Sequence, residues 1–466
     1  MLNQNRHFNS FAGEEGNILS KKAAVITLGC AKNSVDSEHI KGSLIKQGIS
    51  LVENPGVADY IIVNTCGFIE AAKQESIDTI LELVELKNRS NHKKIIVTGC
   101  LAQRYYYDLA KEIPEIDLLV GISNEFDIAN MIKTDVFENI EPSAPRHDFT
   151  AYPERILSDL PYAYLQIADG CDNRCAYCAI PQIRGNFRSK PFEKVLDEAH
   201  FLDEKGAKEV NIIAQDTGRY GYDLYGKSRF VELLSAMRGF KNIKWIRLLY
   251  LQPHFINDEL IDMIKSNRLI LPYLDIPIQH ASPRILHAMN RHGAGSDYLA
   301  QIAWLRRVIP DVVLRTTVIV GYPGETDNDF DELADFVQRA KFDYLGIFEY
   351  SPEEGTKAAE LPNRIPDRIV KERYHQLNAL QDYISQERNN SRVGKTFDVL
   401  IEREVETEAG LFEGRAWWQA PEVDGYTFVS GDLQPGQIIK TYFDGFDSCD
   451  FYGRSVGGAG KQNNNF

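Results

Sequence analysis

Short apolar, β-branched runs alternate with amphipathic stretches along the first third of the chain. The runs lie at residues 23–28, 60–63 and 94–97, and stretches with helical periodicity fill 36–47 and 71–86. Runs of this kind read as parallel strands buried on both faces, so residues 21–140 are expected to form a doubly wound α/β domain. A segment rich in Pro, Ser and charge at 141–158 reads as a linker. Beyond it the alternation resumes, with strands expected at 163–167, 209–213, 245–250, 273–276, 312–320 and 344–348. Amphipathic helices are expected between and after them at 192–204, 230–237, 257–265, 282–289, 297–308 and 327–340. Six strand–helix repeats over 158–390, closed by a helix at 366–389, predict a partial (β/α)6 barrel. From 391 to 457 the period changes to short alternating runs broken by turns at Gly410, Gly414, Gly425 and Pro435-Gly436. That pattern predicts a small five-stranded all-β barrel.

Composition narrows the picture without changing it. A chain of 466 residues exceeds what one core supports, in keeping with two or three domains. No apolar run approaches the roughly 20 residues of a membrane span, and the first twenty residues are polar without a signal-like apolar core. Polar tails at both ends, a cytoplasmic location and no membrane partner are therefore expected. In a reducing compartment the seven cysteines read as ligands rather than disulfides. A net charge of −15 argues against a broad nucleic-acid-binding surface.

The chemistry concentrates in Gly170-Cys171-Asp172-Asn173-Arg174-Cys175-Ala176-Tyr177-Cys178. Three thiolates spaced Cys-x3-Cys-x2-Cys can grip three corners of a cubane iron–sulfur cluster and leave the fourth iron open to a small molecule. Zinc spacing is more often paired Cys-x2-Cys. A second trio is dispersed: Cys30, Cys66 and Cys100 each lie a few residues beyond one of the three apolar runs, 36 and 34 residues apart. In an open parallel sheet, ligands bind outside the carboxyl ends of the strands, so these thiols are expected to converge on a second site. Gly29, Gly67 and Gly99 beside them would allow close backbone approach. Unrelated buried cysteines, or a zinc site, are the alternatives here, although closed zinc sites usually take four protein ligands. Cys449 reads as an uninvolved thiol.

Cys171-x3-Cys175-x-Tyr177-Cys178 after a strand at the start of a partial barrel resembles the radical S-adenosylmethionine (SAM) superfamily. Within it, a cysteine-trio domain, a radical barrel and a small β-barrel in that order resemble the methylthiotransferases, over residues 22–457. Three strings are similar to the branch that modifies an aspartate of the twelfth small-subunit ribosomal protein: Leu28-Gly-Cys-Ala-Lys-Asn-Ser-Val-Asp-Ser37, Gly170-Cys-Asp-Asn-Arg-Cys-Ala-Tyr-Cys-Ala-Ile-Pro181 and Leu274-Asp-Ile-Pro-Ile-Gln-His280. The tRNA-adenosine branch usually shows Gln-Met-Asn after its first cysteine, where Ala31-Lys32-Asn33 stands here.

The resemblance implies two 4Fe-4S clusters and SAM. One cluster would sit on the catalytic Cys171, Cys175 and Cys178, the other on Cys30, Cys66 and Cys100. It further implies cofactor contacts from Tyr177, Gln215, Gly321 and Glu325, a TRAM-like, OB-like C-terminal barrel, and an electron donor such as flavodoxin or ferredoxin. The implied activity is methylthiolation of the aspartate β-carbon. A tRNA methylthiotransferase and a non-catalytic iron–sulfur ribosome-binding protein are the competing readings. Six Lys/Arg face twelve Asp/Glu in residues 391–457. That balance suits docking on a basic ribosomal protein and penalises tRNA as a direct substrate. Glu402, Glu404, Glu406 and Glu408 are expected to share one strand face.

Overall fold

The first three apolar runs pair in parallel, as their burial on both faces requires. The computed structural model describes residues 21–90, 92–143, 149 and 152–456. Strands β1 (Lys22–Thr27), β2 (Ser50–Leu51), β3 (Tyr60–Thr65), β4 (Lys94–Gly99) and β5 (Leu118–Leu119) form one parallel sheet in the order β2-β1-β3-β4-β5. Successive residues feed opposite faces. Ile61, Val63, Ile95 and Val97 pack toward α2 (Glu70–Asn88), while Tyr60, Ile62 and Ile96 pack toward α1 (Ala31–Lys46). This is the expected doubly wound layer arrangement. The expected polar tails at 1–20 and 457–466 lie outside the described residues.

The second unit opens with β6 (Tyr162–Gln166), followed by a two-stranded ribbon of β7 (Ala168–Asp169) and β8 (Arg188–Ser189). β9 (Glu209–Ile213), β10 (Trp245–Leu248), β11 (Ile270–Asp275), β12 (Val313–Val320) and β13 (Tyr344–Glu349) then add to β6 in chain order, all parallel. Six strands make the expected partial barrel, with helices at Phe192–Glu204 and Asp327–Ala340 as the periodicity placed them. Ala163, Leu165, Val210 and Ile212 pack outward under the helices. The alternate residues Tyr164, Ile213, Leu249 and Tyr273 belong to a second core, which Ala31 and Val35 of the first domain also enter.

The C-terminal module is a closed five-stranded barrel of β14 (Thr396–Glu404), β15 (Leu411–Ala416), β16 (Thr427–Ser430), β17 (Ile438–Asp447) and β18 (Asp450–Ser455). It seats against the start of β9. Arg415 Nη2 donates to Glu209 Oε2 at 2.7 Å and its Nε to Glu402 Oε1 at 2.5 Å, all three residues being buried. Tyr273 Oη donates to Asp424 Oδ2 at 2.6 Å. Module and partial barrel therefore share one core rather than hanging on a tether.

Two expectations need correction. β14 ends at Glu404 and is irregular between Ile401 and Arg403, so Glu402 turns inward to Arg415 while Glu406 and Glu408 fall in the following turn. The four glutamates do not share a face, because a bulge breaks the two-residue period. The stretch expected as a linker is also anchored where described. Arg155 is 3% exposed, donating from Nε to Glu38 at 2.8 Å and from Nη1 to Glu198 at 2.6 Å.

Candidate active site

Strand ends bring the dispersed trio together. Cys30 sits at the N-cap of α1, Cys66 directly follows β3, and Cys100 opens the short helix α3 (Cys100–Arg104) after β4. Two glycines permit the approach. Gly29 has φ +97°, and a Cβ there would lie 2.6 Å from Cys66 Cβ; Gly99 has φ +92° and would meet Asn64 and Thr65. The close contact is thus between neighbouring strand ends, which is what draws the thiols toward one point. Burial pushes the Cys100 thiol up to about 12, Arg184 opposing it and the charges of Cys66 and Cys30 adding to the rise. Burial likewise raises Cys66, with Cys30 contributing. Thiols so placed surrender their protons to a metal far more readily than to water.

The consecutive trio lies on the loop after β7. Asp172 accepts from the Phe187 amide, Asn173 Nδ2 donates to Asp216 at 2.9 Å, and Asn290 Nδ2 donates to the carbonyls of Asn173 and Arg174. Arg291 Nη1 stands 3.8 Å from Cys175 Sγ, and its Nη2 donates to Gln252 Oε1 at 2.9 Å. Burial raises Cys171 to about 11, with the charges of Asp216 and Cys175 adding to the rise. All seven cysteines are free thiols. Among the described residues no three His, Cys, Asp or Glu side chains converge tightly enough to share a single metal ion. A cubane spreads its ligand sulfurs over its corners and asks for wider sets of three, which is the donor chemistry present at both places.

Arg184, shortly after the consecutive trio in the chain, joins that loop's strand ribbon to the first domain. Its Nη2 donates to Asp36 Oδ2 at 2.8 Å and Asn33 Oδ1 at 2.9 Å and lies 3.7 Å from Cys100 Sγ; its Nη1 reaches Asp169 Oδ1 at 3.4 Å. A second contact closes the rim, where Arg104 Nη1 and Lys73 Nζ meet Glu353 at 2.6 and 3.3 Å. Cys100, Ile122, Ala179 and Ile183 form a small apolar cluster between the domains.

The expected cofactor contacts divide into two groups. Tyr177 and Gln215 lie beside the consecutive trio. Tyr177 is electrostatically tied to Cys175, Arg291 and Cys178. Gln215 donates to Asp169 at 3.0 Å, and its buried Oε1 has no hydrogen-bond partner. Asp216 Oδ1 and both side-chain atoms of Asn211 are buried and unpartnered as well. Buried polar atoms almost always find partners, so Gln215 and Asp216, just beyond the end of β9, mark where a polar ligand fits, while Asn211 lies in the middle of that strand. Burial raises the Asp216 carboxyl to about 6, against the Asn173 hydrogen bond. Gly321 and Glu325 are packed differently. Glu325 accepts from the Gly321 amide at 3.0 Å and from Arg373 at 2.6 Å, while Gly321 has φ +77° and abuts Val370. Sequence reasoning overlooked Arg184, Arg291, Asn211 and Lys32. Their one-dimensional signal is an ordinary charge or amide on a helix, loop or strand, and only tertiary packing brings Arg184 and Arg291 to the cysteines.

Known proteins show the same plan. Family models match for UPF0004, described as an uncharacterized protein family, over residues 22–121, for the radical SAM superfamily over 165–337, and for the TRAM domain over 393–456. A ribosomal protein uS12 methylthiotransferase RimO from Pelotomaculum thermopropionicum is 46% identical over 441 residues, covering 93% of this chain and 99% of the relative. The Clostridioides difficile protein of the same name is also 46% identical, covering 90% and 95%. That from Synechocystis is 44% identical, covering 93% and 97%. Among solved structures, the radical SAM methyltransferase TsrM from Kitasatospora setae superposes with a TM-score of 0.53 at 13% identity, over 85% of this chain and 81% of that one, and this likeness speaks to the fold alone. With UPF0004, radical SAM and TRAM regions in that order and relatives this similar end to end, the chain belongs to the RimO family of radical SAM methylthiotransferases.

Proposed function

We propose that this enzyme methylthiolates the β-carbon of an aspartate in ribosomal protein uS12, using two 4Fe-4S clusters and SAM. The observation that carries the reading is a buried interface at which Arg184, shortly after Cys178 in the chain, reaches Asn33, Asp36 and Cys100 of the dispersed-trio domain. Relatives named uS12 methylthiotransferases supply the substrate class. Cys171, Cys175 and Cys178 are assigned to the SAM-bearing cluster, and Cys30, Cys66 and Cys100 to a second. When bound, these groups supply hydrogen abstraction from an unactivated C–H bond together with sulfur and methyl donation, chemistry beyond side-chain acids and bases.

The chain's own residues position and shield. Asn173, Asn290 and Arg291 hold the cysteine loop. Tyr177, Gln215 and the strand-end turn held by Gly321 and Glu325 are assigned to cofactor contact. The unpartnered Asp216 Oδ1 offers a further polar contact. Residues 21–140, 158–390 and 391–457 are assigned as the second-cluster domain, the radical SAM core and the TRAM barrel. The acidic balance of the last, six Lys/Arg against twelve Asp/Glu, suits a basic protein partner. An external donor of flavodoxin or ferredoxin type would provide electrons, and the reaction is assigned to the cytoplasm, where no membrane is needed: among the described residues, no helix is long and apolar enough to cross one.

Anaerobic reconstitution followed by iron and sulfide assay tests the count, with about eight irons per chain expected for two cubanes. In the same material Cys171→Ala should abolish SAM cleavage. Cys66→Ala should retain it while uS12 leaves unmodified. Equal loss of cleavage in both folded variants would refute separate roles for the two trios.

A further inference from the structure

A cation without a paired anion stands beside the dispersed trio. Lys32, the second residue of α1, is 6% exposed, and its Nζ lies 3.5 Å from the centroid of the Tyr250 ring. Among the described residues that ammonium has no hydrogen bond and no carboxylate within ion-pair distance. Its surroundings are built. Tyr250 follows β10 in a left-handed conformation with φ +60°, and its amide donates to Asp275 Oδ2 at 3.1 Å. Asp275, the acid on this wall, is already engaged by Arg315 at 3.2 Å.

Position gives the cation its meaning. Lys32 lies two residues from Cys30. Tyr250 lies two residues from Gln252, which accepts from Arg291, whose other amino group reaches Cys175. The Lys32–Tyr250 contact therefore joins a segment next to Cys30 to the strand-end segment that, through Gln252 and Arg291, leads to Cys175. One ring face returns little to an ammonium on a largely buried side chain, so such a site is open to completion by an anion.

On the reading proposed above, we infer that Lys32, held over Tyr250, receives the side-chain carboxylate of the target aspartate. That carboxylate is the only charged handle on the side chain, and it adjoins the carbon to be modified. A cation fixed beside it both orients the β-carbon and rejects asparagine, which has the same shape without the charge. Lys32 is thus a specificity-determining residue.

Binding of uS12 to the full-length reconstituted enzyme tests this without turnover. Wild type should hold uS12 about tenfold more tightly than uS12 whose target aspartate is replaced by asparagine, the size of one charge-assisted hydrogen bond. Lys32→Met, similar in length and uncharged, should bind both forms as wild type binds the asparagine form, and Lys32→Arg should restore part of the preference. The wild-type comparison needs no variant, so a misfolded Lys32→Met leaves the question decidable. Equal wild-type binding of the two forms overturns the inference alone, and no uS12 binding at all overturns the underlying reading with it. A matching loss of SAM affinity in Lys32→Met reassigns the carboxylate to SAM. A changed EPR spectrum with an intact Asp/Asn preference makes Lys32 a counter-ion of the Cys30 centre. Either result sinks the proposal.

Discussion

Gly29 shows how much of the site rests on single atoms. Its φ of +97° is a region that side-chain-bearing residues rarely adopt, and an added methyl would stand 2.6 Å from Cys66 Cβ and 2.9 Å from its Sγ. Gly29→Ala should therefore displace Cys66 before it disturbs anything in the barrel. Reconstituted Gly29→Ala is expected to hold about four irons where wild type holds about eight, with SAM cleavage retained. Full iron content in this variant would show that the dispersed trio tolerates movement. Arg184 is the complementary case, since its guanidinium faces Asp36 and Asp169, both at most 3% exposed. Arg184→Met withdraws the positive charge from a buried acidic pair and should cost about 3 kcal/mol in urea unfolding, consistent with breaking a buried ion pair. Arg184→Lys should recover part of that loss. The cysteines were legible because thiol spacing is itself a chemical signature. Arg184 and Lys32 were not, since an isolated Arg or Lys in a sequence reads as solvated surface until packing buries it.

Some elements with a full period were read from local pattern alone, although α1 begins at Ala31, more than a turn before the expected 36–47 stretch. The helices at Phe192–Glu204 and Asp327–Ala340 carry enough turns for the apolar stripe to declare both ends. The two-residue strands β2 and β5 escaped notice because an alternation cannot be seen in two residues, and they exist by pairing with β1 and β4. The bulge in β14 that turned Glu402 inward was invisible for a related reason, the partner that selects it, Arg415, being thirteen residues away. The start of the Asp327–Ala340 helix is a local device that can be tested locally. Thr326 and Asp329 form a reciprocal capping box, and Asp329 also accepts from Ser282 and Arg284. Burial alone would raise the Asp329 carboxyl, but the hydrogen bonds from Arg284, Ser282 and Thr326 outweigh it and hold it well below the usual carboxylate range. Thr326→Ala should cost about 1 kcal/mol of stability. Asp329→Asn should cost more, because it breaks the cap and the contact to Ser282 and Arg284 together. Calorimetric unfolding of the two variants ranks them, and the reverse order would reject this view of the turn.

At the scale of the whole molecule, the docking of the first domain on the barrel is expected to respond to acid. His39 on α1 is 4% exposed, and its Nδ1 lies 2.6 Å from the Pro153 carbonyl, which can only accept; Nδ1 therefore carries the proton, and the buried Nε2 has no partner. Burial lowers this histidine to about 3, the charge of Glu198 opposing the fall and those of Arg155 and Lys190 assisting it. Below about pH 6.5 the unfolded chain takes up a proton at His39 that the folded chain refuses until about pH 3. Stability is therefore lost as pH falls through that window, by up to about 1.4 kcal/mol per pH unit from this one group. Glu198 adds to the loss at the lower end. Burial alone would raise its carboxyl, yet Lys190 and Arg155 outweigh burial and hold it at about 2, so its contribution is present above the ordinary glutamate range near pH 4.3 and disappears toward pH 2. Urea midpoints measured from pH 8 to pH 4 should decline for wild type beginning near pH 6.5. His39→Gln should flatten the curve between about pH 6.5 and 4.5 and leave the steeper fall below it. Because His39 and Arg155 join α1 and the 152–158 segment to the barrel, the same acid window should loosen the interface that Arg184 bridges. Hydrogen exchange should then rise in α1 before it rises in β9–β12. Identical pH profiles for wild type and His39→Gln would remove His39 from this account and leave the interface held by its ion pairs alone.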